Sequence, residues 1–250
     1  TDSLDTVGFF SRSPHDLEIL LETMRVRGLD YPISSGKMND REFQDKKKDK
    51  WRVAIVETSA WDHAESYAKE ALKDLADDLR NDTQLEISRI RLPESFGQSH
   101  QIHETIYDKS LFYYFKNEYK EKTLISKEIK SMIKHGNTIT LEQYQEATVK
   151  QNELAHQMEK LFSSWDIWLT LSTAGEAPKI GVDEKKDSCL IWTLCGMPTI
   201  NLPLLKGPSG LPMGIQALSE RYADLRLLRF IKLLAERVGE PQYASKGEMK

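Results

Sequence analysis

Several groups of residues in this sequence have types and spacings that chemistry could use. Ser34-Ser35-Gly36-Lys37 sets two hydroxyls beside an amine. A serine hydroxyl attacks only when a base takes its proton, and a lysine serves as that base only where its surroundings lower its pKa. This run lies in a charged stretch with no apolar strand beside it, so a solvated loop is expected. Ser163-Ser164, next to Trp165 at a helix end, reads as capping or turn chemistry. His100 and His103 lie one helical turn apart, a spacing that can hold metal. The zinc-protease pattern needs i,i+4 spacing with a glutamate between the histidines. Here the spacing is i,i+3 and Glu104 lies outside, so a polar helix face is expected and no metal ligand is assigned. His15, His63, His135 and His156 are isolated in sequence and carry no assigned role.

Two further groups invite a chemical reading. Tyr107, Tyr113, Tyr114, Phe115 and Tyr119 interleave with Lys109, Lys116 and Lys120, a mix that can stack nucleic-acid bases. Asp108, Glu118 and Glu121 dilute that charge, and an amphipathic helix with inward aromatics is the favoured alternative. Cys189 and Cys195 are too few for a disulfide scaffold and read as reduced thiols, with Cys195 a small buried hydrophobe. The 250 residues carry 35 basic and 39 acidic side chains, net −4, which argues against a general nucleic-acid binder. No apolar run approaches the ~20 residues of a membrane span, and no signal peptide is visible. A cytoplasmic protein is the expectation. Asn81-Asp82-Thr83 is a formal glycosylation acceptor and carries little weight in that setting.

The elements that must position these groups alternate between strand and helix. Ser13-Pro14 with Asp16 starts a helix carrying Leu17, Leu20, Leu21 and Met24 on one stripe and closing at Gly28. Residues 31–50, ending in the charged 45–50 run, are expected to form a mobile surface connection. Trp51–Val56 reads as a buried strand. Ser59 and Asp62 then cap a helix with Trp61, Ala64, Ala68, Ala71, Leu72, Leu75 and Leu79 inward. A strand near Leu85–Ile90 completes a βαβ unit with parallel strands. Residues 98–135 are helical, with Ile102, Ile106, Leu111, Tyr114 and Phe115 inward and a break at Gly136-Asn137. Thr140 caps a long helix to Leu161, followed by a strand at Ile167–Leu171. Two more strands, Thr199–Pro203 and Met213–Ala217, flank a Gly207–Gly210 turn. The last helix, from about Ala223, turns Leu227, Leu228, Ile231, Leu234, Ala235 and Val238 inward, and residues 240–250 fray. The class is α/β with a mixed sheet covered by helices.

Five ordered segments carry a family resemblance. They are Ser3–Gly8 with Ser11–Ser13 and Asp16-Leu17; Gly136, Thr140, Tyr144 and Ala147; Trp165-Asp166, Leu169-Thr170 and Ala177-Pro178; Trp192-Thr193, Gly196–Ile200 and Pro203; and Gly210–Gln216 with Asp224 and Leu227-Leu228. Together they resemble the amidase-signature family over essentially the whole chain. One departure is visible: Leu171-Ser172 stands where the family usually has a proline, which leaves the shape of the following loop open.

The resemblance implies an amide hydrolase acting by serine acyl transfer, with no metal or organic cofactor, on a small-molecule amide. The family's two serines and its lysine base lie upstream of the segment matching Ser3–Gly8, so no catalytic residue is assigned within this chain. Residues 1–250 are then expected to be the C-terminal portion of an amidase-signature domain, inactive alone and completed by an N-terminal catalytic half. The resemblance places Asp5 and Thr6 near the missing nucleophile. It places Ile191, Trp192 and Cys195 beside the substrate pocket. An apolar face around Leu4–Phe10 and Ile191–Leu205 is expected to drive self-association or capture of that half. A non-catalytic partner-binding module is the alternative. Neither nucleic acid nor a membrane is expected as a partner.

Overall fold

The computed structural model describes residues 1–26, 50–121, 125–182 and 189–238. Strands β1 (Trp51–Glu57), β2 (Leu85–Arg91), β3 (Ile167–Leu171), β4 (Thr199–Lys206) and β5 (Pro212–Leu218) form one sheet in the order β2-β1-β3-β5-β4. β1 runs parallel to both β2 and β3, whereas β5 is antiparallel to β3 and β4. The helices are α1 (Pro14–Met24), α2 (Ser66–Leu79), α3 (Ser99–Tyr114), α4 (Glu118–Glu121), α5 (Lys127–Thr138), α6 (Leu141–Phe162), α7 (Cys189–Cys195) and α8 (Asp224–Val238). Two compact units result. One joins residues 1–7, 93–160 and 190–196; the other joins 8–92, 161–189 and 197 onward.

The sheet belongs to the second unit. Every residue of β3 and the four residues Val53–Val56 of β1 are buried, the pattern of strands covered on both faces. One face presents Val53, Ile55, Leu169, Leu171, Ile215 and Ala217 to the apolar sides of α2 and α8. Trp51 adds a ring contact to Phe230 at 5.3 Å between centroids. α1 lies along α8 and is pinned by the Glu18–Lys232 ion pair. The opposite face carries Trp168, stacked on Phe162 at 4.0 Å. β4 lies at the sheet margin and contains Pro203 within a register shift between Leu202 and Leu205. A proline has no N–H for the ladder, so an edge strand and a bulge accommodate it together.

The first unit is helical. Thr140 and Gln143 cap α6 reciprocally, the Gln143 N–H donating to Thr140 Oγ1 and the Thr140 N–H to Gln143 Oε1. Ile102, Ile106, Leu111, Ile133, Leu154 and Met158 are buried.

Several sequence expectations change in three dimensions. The βαβ unit has parallel strands as expected, but Ser59 does not cap its helix. A short 3₁₀ turn at Trp61–His63 intervenes, and α2 begins after an extended Glu65. Gly136 does not break α5, which runs on to Thr138. A Cβ there would lie 1.9 Å from the Asp108 carbonyl oxygen, so the glycine allows α3 and α5 to approach. Tyr114 and Phe115 are 50% and 42% exposed rather than inward, because α3 ends at Tyr114 and the chain leaves the helical stripe. Met24 and Val238, each at the end of a helix, are exposed as well. α1 ends at Met24 with Arg25 as its cap. Gly28, Ser34–Lys37, the 31–49 stretch and the 240–250 tail lie outside the described residues.

Candidate functional site

In the first unit, the segment after Thr1 turns so that Leu4 is buried while Asp5 and Thr6 face outward. Ile191, Trp192 and Cys195 sit on the short helix α7 and are 0%, 1% and 1% exposed. Sequence reading did not single out Gln151, yet it joins these two stretches. Its buried Nε2 donates to the Ser3 carbonyl at 3.3 Å and to the Leu194 carbonyl at 3.0 Å. Gln151 is buried on α6 along with Ala147, Leu154 and Met158, and only the folded arrangement gives that carboxamide its partners.

The second unit gathers signature segments around a cavity of about 470 Å³ at the ends of β3 and β5. Ser172, Asn201, Tyr67 and Gly214 line it, with Met213, Pro203 and Pro212 as apolar walls. Where the family resemblance leaves the loop after Leu171 open, the ladder continues. The Ser172 N–H donates to the Gly214 carbonyl at 3.1 Å, and the Ser172 carbonyl accepts from Cys189 Sγ at 3.1 Å. Gly214 has a packing reason: its Cβ would lie 2.1 Å from Asn201 Oδ1 and 2.4 Å from Ser172 Oγ. Glu176 fixes the rim. Its Oε1 accepts from the N–H groups of Ser209 and Leu211 at 2.9 and 3.1 Å, while its own N–H donates to the Tyr67 hydroxyl at 3.0 Å. Gly207 makes room for that carboxylate, since a Cβ there would lie 2.2 Å from Glu176 Cγ. The cavity is therefore lined by the Asn201 carboxamide, the hydroxyl-bearing Ser172, Thr173 and Tyr67, and the carboxylate-bearing Glu65 and Glu176 among apolar walls, a lining suited to a small polar ligand held by a few hydrogen bonds.

The histidine pair separates in role. His103 stacks on Tyr107 at 5.5 Å, and burial, reinforced by the nearby His100, lowers its pKa. The metal-type donors that converge among the described residues are instead Glu104, Asp108 and His135, with ligand atoms within 4.8 Å of one another. Asp108 is buried, and its Oδ2 lies 2.7 Å from His135 Nδ1, tying α3 to α5. His135 looked isolated in sequence because its partner lies on another helix.

Comparison with known proteins places this arrangement. Residues 1–228 match the model of the amidase family. A glutamyl-tRNA(Gln) amidotransferase subunit from Borreliella burgdorferi is 29% identical over 141 residues, which are 51% of this chain and 29% of that protein. The corresponding mitochondrial protein of Aedes aegypti is 26% identical over 125 residues, 44% of this chain and 25% of that protein. A crystal structure of an amidase superposes with a TM-score of 0.75 at 20% identity, covering 92% of this chain and 52% of that one. A 6-aminohexanoate cyclic dimer hydrolase superposes with 0.67 at 16% identity, covering 93% and 56%. This chain thus aligns with about half the length of those structures and less than a third of the curated relatives. With its model matched from residue 1 to residue 228, the chain belongs to the amidase family.

Proposed function

We propose that residues 1–250 form the C-terminal, pocket-bearing portion of an amide hydrolase that works by serine acyl transfer. The observation that carries this reading is the cavity beside β3 and β5, built from the segments that resemble the amidase signature and lined by Ser172, Asn201 and Gly214. In this reading the chain supplies scaffold and pocket wall at this cavity; Asp5, Thr6, Ile191, Trp192 and Cys195, which the family resemblance implies as substrate-bordering, are not among the residues that line it. The nucleophile, its relay serine and the lysine base come from polypeptide outside these 250 residues. An unactivated hydroxyl is a poor nucleophile, and none of the serines in this chain is assigned a base. The substrate class is a small carboxamide, and the acyl-enzyme route needs no metal or organic cofactor.

A serine-directed fluorophosphonate with intact-mass readout tests the proposal. The 250-residue chain takes no adduct, while a polypeptide that also carries the Gly/Ser-rich upstream segment takes one, mapped to that segment. A stoichiometric adduct on a serine within residues 1–250, lost on its substitution by alanine, would overturn the assignment of roles.

A further inference from the structure

The donors that converge between α3 and α5 have no part in the amide-hydrolase reading. Glu104 and Asp108 stand one helical turn apart on α3, which puts both carboxylates on one helix face. His135 comes from α5, and one ligand atom from each of the three lies within 4.8 Å of the others. All three belong to the first unit. Gly136 makes this meeting possible. It follows His135 directly, and its missing side chain lets α5 close on the Asp108 carbonyl.

The local charge balance calls for a cation. Asp108 is 4% exposed, and a buried carboxylate is stable where it is paired or bound to a metal. Its ion-pair partner is His135, with Nδ1 2.7 Å from Oδ2. Among the described residues no lysine or arginine pairs with Asp108 or with Glu104. Lys109 is next in sequence, but its Nζ meets the carbonyls of Gly136 and Ile139 instead. Histidine offsets a carboxylate only while protonated. A divalent ion would offset both carboxylates at once. Access exists as well. A cavity of about 350 Å³ is lined by Glu104 and His135, with Gln101 and Thr105 beside them and Glu146 and Lys150 contributed by α6.

We propose that Glu104, Asp108 and His135 bind one divalent transition-metal ion of the zinc type, which clips α3 to α5. An imidazole nitrogen with two carboxylate oxygens is a donor set that zinc accepts, at about 2.0–2.2 Å, with water in the fourth position. Magnesium and calcium prefer oxygen donors alone and in larger number, so the histidine disfavours them. The clip replaces the Asp108–His135 hydrogen bond with bonds to a shared ion. It takes no part in acyl transfer and is measured without turnover, so it stands apart from the amide-hydrolase reading.

Calorimetric titration of the metal-free 250-residue chain with zinc, magnesium and calcium chlorides tests the proposal. Zinc binds saturably at one equivalent, more tightly than magnesium or calcium by about tenfold or more. Glu104 is exposed, so Glu104→Gln removes a donor without opening the core. It weakens zinc by roughly tenfold or more, and His135→Gln does the same. His103→Gln and Cys189→Ser leave zinc affinity unchanged. Zinc raises the thermal unfolding midpoint of the parent chain, and does so less in Glu104→Gln. Absence of saturable zinc binding would overturn the proposal. Equal affinity for zinc and magnesium would mark unspecific attraction to carboxylates and overturn it too. So would zinc binding that is unchanged in Glu104→Gln, or lost in His103→Gln or Cys189→Ser, in chains of unaltered circular dichroism, since the metal would then be an adventitious ion only.

Discussion

Gly136 and Gly214 show how one missing side chain can have different consequences. In an ordinary helix, replacing glycine by alanine gains about 1 kcal/mol. At Gly136 the new Cβ would meet the backbone of Asp108 at 1.9 Å, and backbone in a packed helix pair cannot swing aside. Gly136→Ala is therefore expected to lower stability by roughly 1–3 kcal/mol, the range of overpacked cores. Urea unfolding followed by circular dichroism checks the sign, and an unchanged or raised midpoint would refute the close-approach account. At Gly214 the obstructing atoms are side-chain atoms, Asn201 Oδ1 and Ser172 Oγ. Those groups can rotate away. Gly214→Ala should cost less, under about 1.5 kcal/mol, while altering ligand uptake by the cavity that Asn201 and Ser172 line. Uptake of small carboxamides unaffected by the substitution would count against the proposed role of the cavity as the substrate site.

At the scale of elements, two joints invite measurement. The reciprocal cap of α6 rests on Thr140 and Gln143, and both side chains are exposed enough to be changed without opening the core. Thr140→Ala should cost about 1 kcal/mol, with Thr140→Ser retaining most of it. Equal loss in both variants would mean the hydroxyl is not the cap. The second joint ties β1 to the start of β3. Asp166 is 2% exposed, and its carboxylate accepts from the Arg52 backbone N–H at 2.9 Å and from the Arg52 guanidinium at 3.2 Å. Asp166→Ala leaves the Arg52 N–H and guanidinium without this acceptor and should cost about 1–3 kcal/mol. Asp166→Asn keeps an acceptor oxygen and should cost less. Chemical denaturation of the pair gives the comparison, and an asparagine variant no better than alanine would show that charge, not the hydrogen bond, dominates.

The whole molecule has a pH response with a defined sign. The folded state holds His103 below its ordinary value near 6.5, chiefly by burial, with His100 adding and Asp5 opposing. Below that value the unfolded chain takes up a proton more readily than the folded one. Stability contributed by neutral His103 is thus present above about pH 6.5 and is lost as pH falls through that value. Asp224 acts with the opposite sign. Burial raises its pKa, so its charged form destabilises the fold and protonation at acid pH relieves that. The informative quantity is therefore the difference made by His103→Gln. The fall in denaturation midpoint between about pH 7.5 and about pH 5.5 should be smaller in the variant than in the parent. A fall of identical size would assign the response to other groups.

Local rules written in the sequence determined much of this protein. Ser13-Pro14-Asp16 starts α1, and Thr140 with Gln143 starts α6, because caps act within one turn. The β-branched run at Trp51–Val56 and the apolar run at Ile167–Leu171 became buried strands, because burial on both faces favours continuous apolar residues. The ordered signature segments, read without any structure, pointed to the family that the chain belongs to. Tertiary structure alone decided the rest, where the relevant distance is through space. Whether Gly136 breaks a helix or admits a neighbour depended on where Asp108 stands, 28 residues earlier in sequence. Gln151 became a joint between Ser3 and Leu194 because the fold brought two carbonyls to one buried carboxamide. Tyr114 and Phe115 faced a groove because the helix ended beneath them, which composition and periodicity do not encode. Chain-local geometry sets elements, whereas sites arise from side chains that only packing brings within hydrogen-bonding reach.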